Sequence, residues 1–171
     1  SIGGLFGHKN STTTNCHNYA PLDVTVNTAQ PTLYTMVGAF YIGGLAGYVG
    51  SGWTDCSNNG DITIDGTFDL YLARYAHLGI SGCISRLASA AYSNVDNHGN
   101  ITVNVVNTAA KNTHSTDVNH LYVGGVISGF GGSKGLTGCD NSGKITIGEG
   151  TVVDNVYIVA GGICANAMSG N

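Results

Sequence analysis

Short alternating segments recur along the chain. Ile62-Thr63-Ile64, Ile101-Thr102-Val103 and Ile145-Thr146-Ile147 each set two β-branched apolar residues around a threonine, and Val24-Thr25-Val26 has the same order. Strand side chains point alternately to opposite faces, so each triplet turns its aliphatic residues to one side and its threonine to the other. No segment sustains apolar residues at i, i+3, i+4 and i+7, and the 27 glycines oppose helix. The pattern predicts strands.

Each triplet belongs to a longer phrase: CHNYAPLDVTV (16–26), CSNNGDITI (56–64), VDNHGNITV (95–103) and CDNSGKITI (139–147). A second, glycine-rich phrase alternates with it: IGGLFG (2–7), IGGLAG (42–47), LGISG (78–82), VGGVISG (123–129) and AGGICA (160–165). Gly3, Gly43, Gly79, Gly124 and Gly161 are spaced by 40, 36, 45 and 37 residues; Cys16, Cys56, Val95 and Cys139 by 40, 39 and 44. A repeat near 40 residues that reads as strand predicts an all-β, right-handed parallel β-solenoid (β-helix) of about four coils. Residues 1–171 then form one solenoid domain, a piece of a longer array or a unit that stacks.

Stacking assigns the columns. Cys16, Cys56, Val95 and Cys139 share one, and the valine shows that it wants a small apolar side chain facing inward. Asn18, Asn58, Asn97 and Asn141 form the next, at a corner where amides bond to backbone and to each other. Gly60, Gly99 and Gly143 are expected at φ > 0 to turn the chain. The first copy has Ala20 and two additional residues before Val24, which predicts a distorted corner. Thr25, Thr63, Thr102 and Thr146 form an outward column. Its outward neighbours Asn27, Asp65, Asn104 and Gly148 are too irregular for the paired threonine array of an ice-binding surface.

Composition changes the picture in one respect. Charged residues are only 9% against about 25% in ordinary soluble domains, with a net charge of −4, so there is no basic footprint for nucleic acid. Polarity supplied by Asn, Thr and Ser suits an extracellular or cell-surface setting. No apolar run approaches the roughly 20 residues of a membrane span. The opening SIGGLFG lacks signal-peptide regions, so a leader has been removed or the chain belongs to something longer.

The alternation of IGGLAG with a Cys-x-Asn-x-Gly turn and a β-branched strand resembles the GLUG-motif repeats, whose core is matched by Gly4-Leu5-Phe6-Gly7 and Gly44-Leu45-Ala46-Gly47. LGISG lacks one glycine, and VGGVISG carries one extra residue. The resemblance spans nearly the whole chain. It implies microbial surface or secreted architecture, adhesin-like, with no catalytic residues to carry over. The coils leave room for a third strand, with candidates at 33–41, 70–77, 120–125 and 156–162.

Candidate chemistry is sparse. Asp96 and Asp140 fall in one column of adjacent coils and have the oxygens to hold Ca²⁺, though two solvated turn aspartates are the plainer reading. His114, Asp117 and His120 lie in a polar segment with no standard zinc spacing. Cys83 and Cys164 lack a visible His or Asn framework for a nucleophile. Trp53, Tyr48 and Tyr92 recur in no column and read as scattered rings. No catalytic, metal or cofactor site is therefore expected. The expected function is a structural or adhesive element that stacks end to end on itself or on neighbouring repeats, or meets surface glycans or matrix proteins. The alternative is a carbohydrate-binding or polysaccharide-cleaving β-helix.

Overall fold

The computed structural model describes residues 1–27, 39–68, 77–87, 90–107, 119–131, 135–148, 151 and 156–168. Among them all regular structure is strand, in four parallel sheets. Sheet 1 stacks Ile2–Gly3, Ala39–Gly43, His77–Ser81, Asn119–Gly124 and Val156–Gly161. Sheet 2 stacks Phe6–Lys9, Ala46–Val49, Ile84–Leu87, Ile127–Gly131 and Cys164–Met168. Sheet 3 holds Thr13–Thr14 and His17–Asn18 beside Trp53–Asn58, then Tyr92–Asn97 and Leu136–Thr137. Sheet 4 stacks Leu22–Asn27, Ile62–Phe68, Ile101–Asn107 and Ile145–Ile147. Each repeat places one strand in each sheet before the next repeat begins, the connectivity of a parallel β-solenoid.

Each coil thus has four faces, one more than a third strand would provide. The described parts of the third-strand candidates run directly into the glycine phrase as single sheet 1 strands, and residues 33–38 and 70–76 lie outside the described residues. The additional face is sheet 3.

Two cores result. Ile42, Leu78, Ile80, Leu121 and Val123 of sheet 1 pack on Ile62, Ile64, Ile101, Val103 and Val105 of sheet 4. Leu45, Ala46, Ile84, Val126 and Ile127 pack on Trp53, Cys56, Tyr92 and Val95 of sheet 3. Trp53 and Tyr92, read from sequence as scattered rings, are register partners in one column and fully buried. Phe6 meets the Trp53 ring edge-on at 5.9 Å, and the Tyr92 hydroxyl donates to the Ser51 carbonyl at 3.0 Å.

Register corrects three expectations. Thr63, Thr102 and Thr146 do stand in one column, but Thr25 pairs with Asp65, and Asp23 occupies the slot beside Thr63. The first copy contains no insertion: Leu22 pairs with Ile62 and Val24 with Ile64, a constant offset of 40 from Asn18 and Asn58. Its corner is regular, since the Asn18 amide donates to the Ala20 carbonyl at 2.8 Å as Asn58 does to Gly60 at 2.7 Å. In the glycine phrase, Ser81 is the partner of Gly43 and Gly124, while Gly79 pairs with Tyr41 and Tyr122.

The corner glycines are also explained differently. Gly60, Gly99 and Gly143 are not at positive φ. A Cβ at each would lie 2.0 Å from the carbonyl oxygen of Ala20, Gly60 and Gly99 respectively, so the column needs glycine for close backbone stacking. Left-handed backbone appears instead within the sheet 3 segments, at Asn15, Asp55, Asn94 and Gly138, with φ of 54°, 53°, 52° and 63°. Asn and Asp are the non-glycine residues that tolerate this conformation best, which otherwise costs about 1–2 kcal/mol.

Candidate functional site

The repeated phrases meet at the centre of the coil. The Asn18 Nδ2 donates to Asn58 Oδ1 at 2.9 Å, Asn58 to Asn97 at 2.9 Å and Asn97 to Asn141 at 2.8 Å. Each Nδ2 also donates to the carbonyl two residues on, at 2.7–3.0 Å. Asn58 and Asn97 are completely buried. Facing them is the second glycine of the other phrase. A Cβ on Gly44, Gly82 or Gly125 would sit 2.5, 2.2 or 2.5 Å from the Cγ of Asn58, Asn97 or Asn141 of the same coil. The amide ladder therefore fills the space that the glycine ladder leaves. That contact gives the two phrases their strict alternation.

The cysteine column lies beside the ladder. Cys56 and Val95 are register partners inside the second core, while Cys16 and Cys139, each with one neighbour in the column, are half-buried. All five cysteines are free thiols. Cys83 is fully buried and its Sγ donates to the Asp96 carbonyl at 3.1 Å. Desolvation pushes the Cys83 thiol up strongly and raises Cys56, Cys139 and Cys164 as well. A neutral buried thiol is the opposite of an activated nucleophile.

Two outcomes follow from these thiols. Cys56 and Cys83 should resist alkylation in the native protein at pH 8 and react after unfolding; fast native labelling of either contradicts their burial. Each thiol stays protonated when folded, while the unfolded chain ionises near the ordinary value of 9.0. The stability they contribute is full below that pH and is lost as pH rises beyond it. Urea midpoints should therefore fall between pH 8 and pH 10.5, less so in Cys83→Val.

The outer polar residues bond from coil to coil. Asp61 Oδ1 accepts from the Asn100 backbone N–H at 2.7 Å, and Asn100 Oδ1 from that of Lys144 at 3.0 Å. Asp96 Oδ1 accepts from the Asp140 N–H at 2.9 Å. Of the aspartate pair singled out for Ca²⁺, the Asp96 carboxylate is thus engaged by the backbone of Asp140, and among the described residues no group of three or more His, Cys, Asp or Glu is placed to hold a metal. Of His114, Asp117 and His120, His120 stands in sheet 1 while His114 and Asp117 lie outside the described residues.

Sequence reasoning missed a seam between the outer faces of sheets 1 and 2. Here the two backbones approach closely: a Cβ on Gly79 would lie 2.6 and 2.7 Å from the hydroxyls of Ser85 and Ser128, which bond each other at 2.9 Å. Beyond these small residues stand larger ones. Tyr41 and Tyr48 have ring centroids 6.4 Å apart, and His8 lies 4.6 Å from Tyr48. The Arg86 guanidinium sits over Tyr41 at 5.3 Å and donates to its hydroxyl. One coil beyond Arg86, His120 stacks on Tyr122 at 5.1 Å with an interplanar angle of 4°. Burial pushes the Tyr122 phenol up, against a hydrogen bond with the Asn166 side chain. The signal was present in the sequence: Tyr41 and Tyr122 each precede an apolar residue and two glycines, as YIGG and YVGG.

Compared with protein-family models, curated proteins and solved structures, the chain has no match.

Proposed function

We propose that this chain is a structural and adhesive repeat element of a microbial extracellular or cell-surface protein, of the kind the GLUG-motif resemblance implies. The observation that carries the reading is the interlocked asparagine and glycine ladder. The most repeated side chains in the sequence are engaged in holding coil to coil. Such a stack forms a long, rigid wall whose length grows by adding coils.

The same geometry favours extension. Ile2 and Leu5 on the first coil are 37% and 39% exposed and Ile158 on the last is 42% exposed, each of a type that inner coils bury. Gly162 has nothing within 4 Å of its Cβ position, where Gly82 and Gly125 each face an asparagine. A further coil bearing an asparagine, from the same chain or from a second copy, fits that space. Protease shaving of intact source cells tests the location: peptides of this chain should be released, and recovery from the cytosol alone overturns the reading.

A further inference from the structure

We infer that the seam between sheets 1 and 2 binds a linear polysaccharide bearing carboxylates, with Arg86 as the charge contact and Tyr48 and His8 as the stacking platform. The inference rests on the adhesive reading, to which it gives a ligand class. Negative charge is segregated across the described residues. Asp23, Asp55, Asp61, Asp65, Asp96 and Asp140 all lie on sheets 3 and 4 or the segments between them. Sheet 2 instead carries Lys9 and Arg86, with His8 beside them, while Lys144, the third Lys or Arg among the described residues, lies between sheets 3 and 4. Among the described residues an anionic polymer therefore meets no carboxylate on sheets 1 and 2, although the net charge of the chain is −4.

The local geometry suits a sugar acid. Arg86 is exposed, and its bond to the Tyr41 hydroxyl together with its position over that ring holds the guanidinium in place. A fork fixed in this way retains further N–H donors for a carboxylate, the two-oxygen partner that it matches best. Tyr48 and His8 offer ring faces of negative character, on which the C–H face of a pyranose rests. Repeat length agrees as well. His8, Tyr48 and Arg86 occupy one column on three successive coils, which rise by roughly 4.8 Å each. An extended chain of pyranoses advances by about that distance per ring, so consecutive sugars meet consecutive coils. A single-stranded nucleic acid also stacks on rings, but its affinity comes from neutralising many phosphates in a row, and Arg86 is the one cation in the His8, Tyr48 and Arg86 column.

The test is affinity measured by calorimetry and by retardation in polymer-containing gels, using the whole chain. Oligogalacturonate is the probe, cello-oligosaccharide the neutral comparison and an oligothymidylate the nucleic-acid comparison. Oligogalacturonate should bind best and more weakly as salt is added. Arg86→Gln should weaken it by about tenfold or more, and Tyr48→Ala by about fivefold, with Tyr48→Phe near wild type. Lys144→Gln, on the opposite side, should change it by less than about twofold. No binding at millimolar oligogalacturonate, equal binding of the neutral sugar, tighter binding of the oligothymidylate, or an unchanged Arg86→Gln each overturns the inference. Failure here with the chain still shaved from intact cells removes the seam alone, whereas a cytosolic location removes the surface reading itself.

Discussion

Gly82→Ala should leave the chain unable to fold, with a loss of about 4 kcal/mol or more and insoluble expression. The new Cβ would lie 2.0 Å from the Gly125 carbonyl oxygen, 2.2 Å from the Asn97 Cγ and 2.5 Å from its Oδ1. Neither obstacle is the free end of a flexible side chain. The carbonyl belongs to the backbone of the next coil, and the amide is bonded to Asn58, Asn141 and Gly99. Moving either breaks pairing in neighbouring coils, so relaxation is expensive. Gly162→Ala is the matched control: with nothing within 4 Å and no left-handed φ, it should change stability by less than about 1 kcal/mol. Urea unfolding followed by circular dichroism reads both; a soluble Gly82→Ala with an unchanged midpoint contradicts the ladder contact. In the first glycine column the third coil departs, with Ser81 buried there, although a Cβ on Gly43 or Gly124 would lie 2.2 or 1.8 Å from a backbone oxygen.

That contrast shows where the sequence was readable and where it was not. The ITI triplets and the asparagines announce themselves because one side-chain type repeats at one place in each coil. Thr25 was misplaced because Val24-Thr25-Val26 matches the triplets by residue type. Counting from Asn18 at the constant offset of 40 puts Leu22 opposite Ile62. Gly79 was misplaced in the same way, by a glycine two residues from the true slot. Sheet 3 went unread for a different reason. Along Trp53–Asn58 the buried positions are 53, 56 and 58, since the left-handed residue at 55 interrupts the alternation on which strand recognition rests. Tyr92–Asn97 repeats the break at Asn94. The aromatic–basic seam was hidden because Tyr41, Tyr48 and Arg86 come from two sheets and two coils, and only the packing of sheet 1 on sheet 2 brings them together.

Asn97→Ala should cost about 3–5 kcal/mol, several times the effect of removing any outer amide. The side chain is completely buried and makes three hydrogen bonds: its Nδ2 donates to Gly99 O at 2.7 Å and Asn141 Oδ1 at 2.8 Å, and its Oδ1 accepts from Asn58 Nδ2 at 2.9 Å. Alanine leaves the Gly99 carbonyl and the lateral bonds of both neighbours unmade where water has no access, at roughly 1–3 kcal/mol for each stranded group. Bonds in such a chain polarise one another, so an inner member should matter more than a terminal one. Asn141→Ala should accordingly cost less, since Asn141 is half-buried and has a ladder partner on one side. Asn104→Ala removes a bond of 2.9 Å to Asp65 on the exposed face and should stay within about 0.5 kcal/mol. Asn97→Asp separates donor loss from volume loss. An ionised carboxylate there is a buried charge that repels the Asn141 oxygen and donates nothing, whereas its protonated form restores one donor. Burial raises the folded-state pKa of such a group, so the stability it contributes is full below the ordinary aspartate value of about 3.9 and is lost as pH rises. Asn97→Asp should then be closest to wild type near pH 4 and fall behind it by pH 7. Equal losses at 97 and 104, or an Asn97→Asp deficit that does not change between those pH values, would show that the buried amides are not what fastens one coil to the next.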